Sequence, residues 1–395
     1  MCAYQAASRG VKVTLFDPNR QLGRKVRITG KGRCNITNNS SAPLFNYIGE
    51  DGIVELITVK GNITYNGTEA FSPLCLVNKG TISNCHNRCT VTGTADLAGL
   101  CVTNYGVILD GASESPLVAT GKSVAGICLN NESTGEIRGF QLSSALPEGS
   151  QVAGICHNNK GRVYDCMVTI NQTINVTSNW GGIVYTNSGT VEDCMITGPQ
   201  MVTTSGSIGG ICNTLTGGEV LYCWNTVAYI TSSNSVAGGV VANCTGGTIK
   251  NCWSAATKNI SGYTYAGGIA GVLNGSSAKI VNCYNRAAVS VSGTGAQGGI
   301  VGNLISGTVE NCYNTYGNFF GNKGTTIVLG SNCYNEQLYQ TGTVAVPTDH
   351  TTMKDELNGY RASHTGESNL YEWLCNSATA YPTLKRPTAT KGGRR

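Results

Sequence analysis

The chain has 395 residues, of which 12% are charged, 53 are glycine and 18 are cysteine; so few charges and so many glycines point to short strands and many turns and exclude a helical protein. The net charge of +5 sits at the ends, with +7 on residues 1–40 and +5 on residues 381–395, leaving −7 on the body, a balance that argues against a nucleic-acid partner. No window holds the ~18 apolar residues of a membrane span, and no apolar signal region opens the chain.

Residues 1–40 come first. They contain Lys12-Val-Thr-Leu-Phe-Asp17, Gly23-Arg-Lys25 and Ile28-Thr-Gly-Lys-Gly-Arg-Cys-Asn-Ile-Thr-Asn38. These runs closely resemble the N-terminus of BaiN-type flavoproteins, FAD- and NAD(P)-dependent oxidoreductases. The resemblance implies a short α/β-type fragment in which Asp17 would hold the adenosine ribose. Lys25, Thr29, Gly30, Gly32, Arg33, Cys34 and Asn35 would then belong to the segment lying against the FAD. The Gly-x-Gly-x-x-Gly turn that would cradle the pyrophosphate should precede Ala3, where the chain instead starts at Met1. The expectation is therefore a truncated remnant of fusion or assembly, without a working flavin site and with no cofactor.

Residues 41–335 read as one repeat domain, in which a phrase recurs between residues 80 and 312, clearest in Gly80-Thr-Ile-Ser-Asn-Cys85, Gly247-Thr-Ile-Lys-Asn-Cys252 and Gly307-Thr-Val-Glu-Asn-Cys312. Its last residue marks positions 85, 111, 140, 166, 194, 223, 252, 283, 312 and 333, in steps of 21 to 31 residues. A second phrase keeps the same beat, as in Val124-Ala-Gly-Ile-Cys128 and Ile208-Gly-Gly-Ile-Cys212. Such a period predicts a solenoid whose repeats bury their apolar edges only by stacking.

Three columns of the repeat assign its faces. Ile82, Ile108, Ile137, Val163, Val191, Val220, Ile249, Ile280 and Val309, three before the marker, are all β-branched, as an inward strand position selects. The next position, which includes Ser83, Arg138, Leu221, Lys250 and Val281, varies freely and reads as solvent. Just before the marker stand Asn84, Asp110, Gly139, Asp165, Asp193, Tyr222, Asn251, Asn282, Asn311 and Asn332. All but Tyr222 tolerate a left-handed backbone, which predicts a bend there with stacked asparagines. Most cysteines fall on two columns and read as buried free thiols. The predicted fold is all-β, a right-handed parallel β-helix of about ten coils of about 28 residues, roughly 50 Å long. Residues 336–395 break the beat and read as a C-terminal cap with a basic tail, with a short helix at 351–357.

The phrases Ala266-Gly-Gly-Ile-Ala-Gly271 and Gly298-Gly-Ile-Val-Gly302, with the Asn-Cys-Tyr-Asn runs at 282–285, 311–314 and 332–335, resemble GLUG-type repeats. Those occur in surface and secreted proteins of bacteria. The resemblance implies an extracellular or cell-surface location and an adhesin-like, non-enzymatic scaffold, with a glycan or a host or bacterial surface protein as partner. It carries no catalytic residue.

Other signals are weaker. Gly293–Gly298 matches a nucleotide-binding turn by letters but leads into a strand phrase. Asp165 and Asp193 on successive coils would suit a retaining glycosidase, yet they stand in the bend column; a carbohydrate-active enzyme on the same rod is the alternative function. Cys85-His86-x-x-Cys89 lacks a second ligand pair for a metal. One candidate surface remains. Trp224, Trp253, Tyr284, Tyr313 and Tyr334, each just after a marker, form an aromatic ladder that could serve as a ligand platform. Asn225, Asn285, Asn314 and Asn335 would be its polar rim.

Overall fold

A turn of the chain near residue 250 shows how the sequence becomes structure. Val236–Gly238 forms one side, Val241–Cys244 and Thr248–Lys250 a second, and Trp253–Ser254 with Asn259–Gly262 a third. Each strand pairs in parallel with its equivalent one turn on: Val236 with Tyr265, Val241 with Ala270, Ile249 with Ile280 and Ile260 with Val289. The backbone bonds therefore run between turns, and the parallel strands wind into about nine turns of β-solenoid, close to the number expected. This computed structural model describes residues 34–37, 42–120, 122–143, 147–171, 174–176, 178–203, 205–336, 343–365 and 370–385. The chain divides into two units, residues 1–169 and 170–395, each built from this kind of turn.

The predicted columns hold in both units. All nine β-branched residues three before the marker are 0% exposed, each worth about 1.5–3 kcal/mol of apolar burial. All the bend residues are left-handed, from Asp193 at φ 49° to Gly139 at φ 73°. Tyr222 adopts φ 52° there as well, a conformation that costs a bulky residue about 1–2 kcal/mol; its ring is buried edge-on against Trp224, Trp253 and Tyr371. The cysteines of both columns are buried and unbridged. Burial pushes the Cys85 and Cys244 thiols up to about 12.

The glycines of the second phrase are required by close approach. A Cβ on Gly268 would lie 2.0 Å from the carbonyl oxygen of Gly299, and one on Gly239 would lie 2.0 Å from that of Gly268. No side chain fits between turns at that corner.

In the first unit, the strands Cys75–Asn78, Cys101–Asn104, Cys128–Asn131 and Cys156–Asn159 end on buried asparagines. Their amides bond in series: Asn78 donates to Asn104 at 2.7 Å, Asn104 to Asn131 at 2.8 Å and Asn131 to Asn159 at 2.8 Å. Each amide thus satisfies its neighbour inside the core, where an unpaired one would cost about 1–3 kcal/mol. The Cys-x-x-Asn spacing carried this signal, which the sequence reading passed over.

In the second unit the chain leaves the turns for a cap. The predicted helix forms and runs further than expected, His350–Ser363, with the Asp349 carboxylate accepting from Thr351 N at 2.8 Å as an N-cap. Met353, Leu357 and Tyr360 face inward. Trp373–Leu374 then pairs antiparallel with Thr383–Leu384.

Candidate functional site

The cap covers the corner that the sequence reading assigned to solvent. Leu221 and Val281 are 3% and 0% exposed, because Leu221 packs with Met353, Leu357 and Trp373, and Val281 with Tyr360 and Leu370. Lys250 is 6% exposed, its ammonium paired with Glu219 at 3.0 Å. Varied residue types at this position thus reflect several local partners and not uniform exposure to water.

The aromatic ladder lies under the same cover. Its rings stack along the turns: Trp224 on Trp253 at 4.9 Å and 4°, Trp253 on Tyr284 at 5.8 Å and 4°, and Tyr284 on Tyr313 at 5.0 Å and 2°. Tyr284, Tyr313 and Tyr334 are buried, whereas Trp224 and Trp253 remain partly open. Trp373 packs against both Tyr284 and Tyr313, the Tyr313 hydroxyl donates to Pro382 O at 2.5 Å, and the Tyr334 hydroxyl bonds the Glu356 carboxylate. Burial holds the phenols of Tyr284 and Tyr313 above their ordinary range. Most of the ladder is therefore core between turns and cap, and only its tryptophan end is open.

The expected polar rim faces the other way. Asn225, Asn285, Asn314 and Asn335 are buried, since in a strand the residue after an outward ring points inward. Asn285 donates to Asn314 at 3.0 Å and Asn314 to Asn335 at 2.8 Å.

What binds the cap is the bend column. Asn332 Nδ2 donates to Glu356 O at 2.8 Å, Asn311 Nδ2 to Leu357 O at 3.2 Å and Asn282 Nδ2 to Tyr371 O at 3.1 Å. Tyr371 N in turn donates to Asn251 Oδ1 at 3.1 Å. The left-handed backbone turns each amide outward to meet the cap. The predicted stacking is present too, with Asn282 donating to Asn251 at 2.7 Å and Asn311 to Asn282 at 2.6 Å.

Beside this seam lies a pocket of about 330 Å³ lined by Arg286, Thr315, Tyr316, Glu336 and Tyr381. Arg286 follows Asn285 on the chain, and its guanidinium stands 5.3 Å from the Tyr381 ring centre and 6.0 Å from that of Tyr284. Tyr316 is 48% exposed. Burial, and then the hydrogen bond to Glu336, push the Tyr381 phenol up. Arg286, Thr315 and Glu336 each stand three residues after a marker, and sequence reading missed this site because Tyr381 lies outside the repeat.

Among the other candidates, Cys85 and Cys89 are buried, while His86 Nδ1 meets Glu114 at 2.9 Å. No group of three His, Cys, Asp or Glu among the described residues is placed to hold a metal. Asp165 and Asp193 are left-handed bend residues. Ala296–Gly298 is a strand, so the glycine run at 293–298 opens no helix. Of the flavoprotein-like residues, Asp17, Lys25, Thr29, Gly30, Gly32 and Arg33 lie outside the described residues. Cys34–Thr37 is a strand in parallel register with Ile57–Lys60. No helix is long and apolar enough to cross a membrane among the described residues. Compared with protein-family models, curated proteins and solved structures, the chain matches none.

Proposed function

We propose that the chain is a non-enzymatic β-solenoid scaffold of bacterial surface-protein type that contacts a glycan at the seam between its last turns and its cap. The observation that carries this reading is the seam pocket, where the exposed Tyr316 ring stands with Tyr381, itself stacked on His350 and Tyr313, beside a cation, a hydroxyl and a carboxylate. Sugar rings are recognised in this way, by stacking on an aromatic face with polar groups at the rim. The partly open Trp224 and Trp253 edges extend the aromatic character of the same capped region. The likeness to GLUG-type arrays supports the surface location and the scaffold role.

Affinity electrophoresis of the purified chain through gels containing neutral or acidic polysaccharides tests this reading. Retardation by at least one glycan, with no release of reducing ends over hours, is expected. Unretarded migration through every gel would remove the glycan reading, and steady release of reducing ends would make the chain a carbohydrate-active enzyme.

A further inference from the structure

The pocket holds a cation that the protein does not neutralise. Several basic side chains of this fold pair with a carboxylate one turn away, among them Lys250 with Glu219 at 3.0 Å and Lys279 with Glu310 at 2.5 Å. Arg286 departs from that habit. No carboxylate among the described residues lies within ion-pair distance of its guanidinium, whose neighbours are the rings of Tyr284 and Tyr381. Glu336 lines the same pocket but is engaged by the Tyr381 hydroxyl.

A planar guanidinium held against aromatic rings has little freedom to lose, and its fork matches a carboxylate in two parallel bonds. Resting on the reading that the pocket takes a glycan, we propose that its ligand is a carboxylated pyranose, a uronic-acid unit of an acidic polysaccharide. The sugar carboxylate meets Arg286 and the ring face lies on Tyr316. The ring hydroxyls reach the Glu336 carboxylate and the hydroxyl of Thr315, which itself donates weakly to Asn285 O at 3.5 Å. At about 330 Å³ the pocket stands at the small end of ligand sites, suited to one sugar ring with part of a neighbour.

Isothermal titration of the full chain with tri-galacturonic acid, its methyl ester, sialyllactose and maltotriose tests the assignment. The free acid should bind at least tenfold more tightly than its methyl ester, which has the same ring and linkage without the charge. Arg286→Gln should lose the same factor, with unchanged near-UV circular dichroism as the check on folding; should that variant not fold, the acid–ester comparison on the natural chain decides alone. Sialyllactose carries its carboxylate on the anomeric carbon of a bulkier pyranose and should bind more weakly than the uronide. Tighter binding of sialyllactose would overturn the uronic-acid assignment. Equal affinity for acid, ester and maltotriose would overturn the carboxylate proposal and leave the glycan reading standing. If no sugar binds, both fall.

Discussion

The indole Nε1 of Trp373 donates to Oδ1 of Asn282 at 2.5 Å, joining a cap residue to a bend residue 91 positions earlier in the chain. The same asparagine donates to Asn251 Oδ1 and to Tyr371 O, and accepts from Asn311. Both donors and both acceptor sites of one amide are thereby used.

Asn282→Ala should cost about 2–4 kcal/mol, since it leaves several buried partners unsatisfied at once. The loss should be local to the cap. Hydrogen exchange in the helix His350–Ser363 should quicken by an order of magnitude or more, while amides near Asn104 stay protected. Unchanged exchange in the helix would show that the asparagine column does not hold the cap.

Two glycine-to-alanine changes should move stability in opposite directions. Gly268→Ala drives a methyl group into the Gly299 carbonyl and should cost 3 kcal/mol or more by forcing turns apart, about the upper range for overpacking. Gly359 is exposed within the helix with nothing near its missing Cβ, so Gly359→Ala should stabilise by about 0.5–1 kcal/mol. Urea midpoints of the two variants give the comparison, and two shifts of the same sign would contradict the geometry.

The inward column and its covered neighbour should also differ. Ile249→Ala empties core space and should cost about 2–4 kcal/mol. Lys250→Met keeps the buried stem and loses the ammonium with its partly exposed pair to Glu219, and should cost less, about 1 kcal/mol. Equal losses in chemical denaturation would mean the two positions are not distinguished as described.

His157 gives a pH signature. Its burial holds the imidazole down at about 4, below the usual 6.5 or so, and the unfolded chain therefore binds the extra proton across that interval. The stability this group contributes is complete above about pH 6.5 and declines by about 1.4 kcal/mol per pH unit as the pH falls toward 4. His157→Gln should flatten that part of the profile. Parallel stability curves for variant and natural chain between pH 7 and pH 5 would refute the assignment.

The buried thiols should resist alkylation in the native state at pH 8. Cys85 and Cys244, pushed up to about 12, have almost no thiolate there. Among the cysteines from Cys75 onward, Cys375, on the cap and only half-buried, should react first. Site-resolved mass spectrometry of briefly labelled protein should find Cys375 modified and the column cysteines untouched; early labelling of Cys252 or Cys283 would show that the turns open far more readily than the packing implies.

Legibility in the sequence followed from repetition. Ile82 to Val309 and Asn84 to Asn332 repeat one environment many times, so the physics of each position could be read from what its column has in common. The environment of Leu221, Val281 and Tyr313 is set by a segment that occurs once, and no column average reveals what Trp373 or Leu357 will cover. Asn285 was misplaced for another reason: asparagine suits both a wet rim and a satisfied internal ladder, and only the strand's two-residue alternation against Tyr284 tells them apart. The Arg286 pocket joins a repeat residue to Tyr381 of the cap, a pairing without any periodic trace.

The grip on the cap also bears on how such a chain can change its length over generations. Its backbone contacts are made by the bend residues Asn251, Asn282, Asn311 and Asn332, while the turn spacing upstream is already irregular at 26 to 29 residues. A duplication or deletion of one whole turn anywhere before residue 190 would restore the same stacking surfaces and leave those amides, and the Leu221 and Tyr222 contacts to the cap, untouched. Gene rearrangements in that stretch should be silent for folding, whereas the turns that touch the cap should behave as a fixed terminus that is inherited as one block.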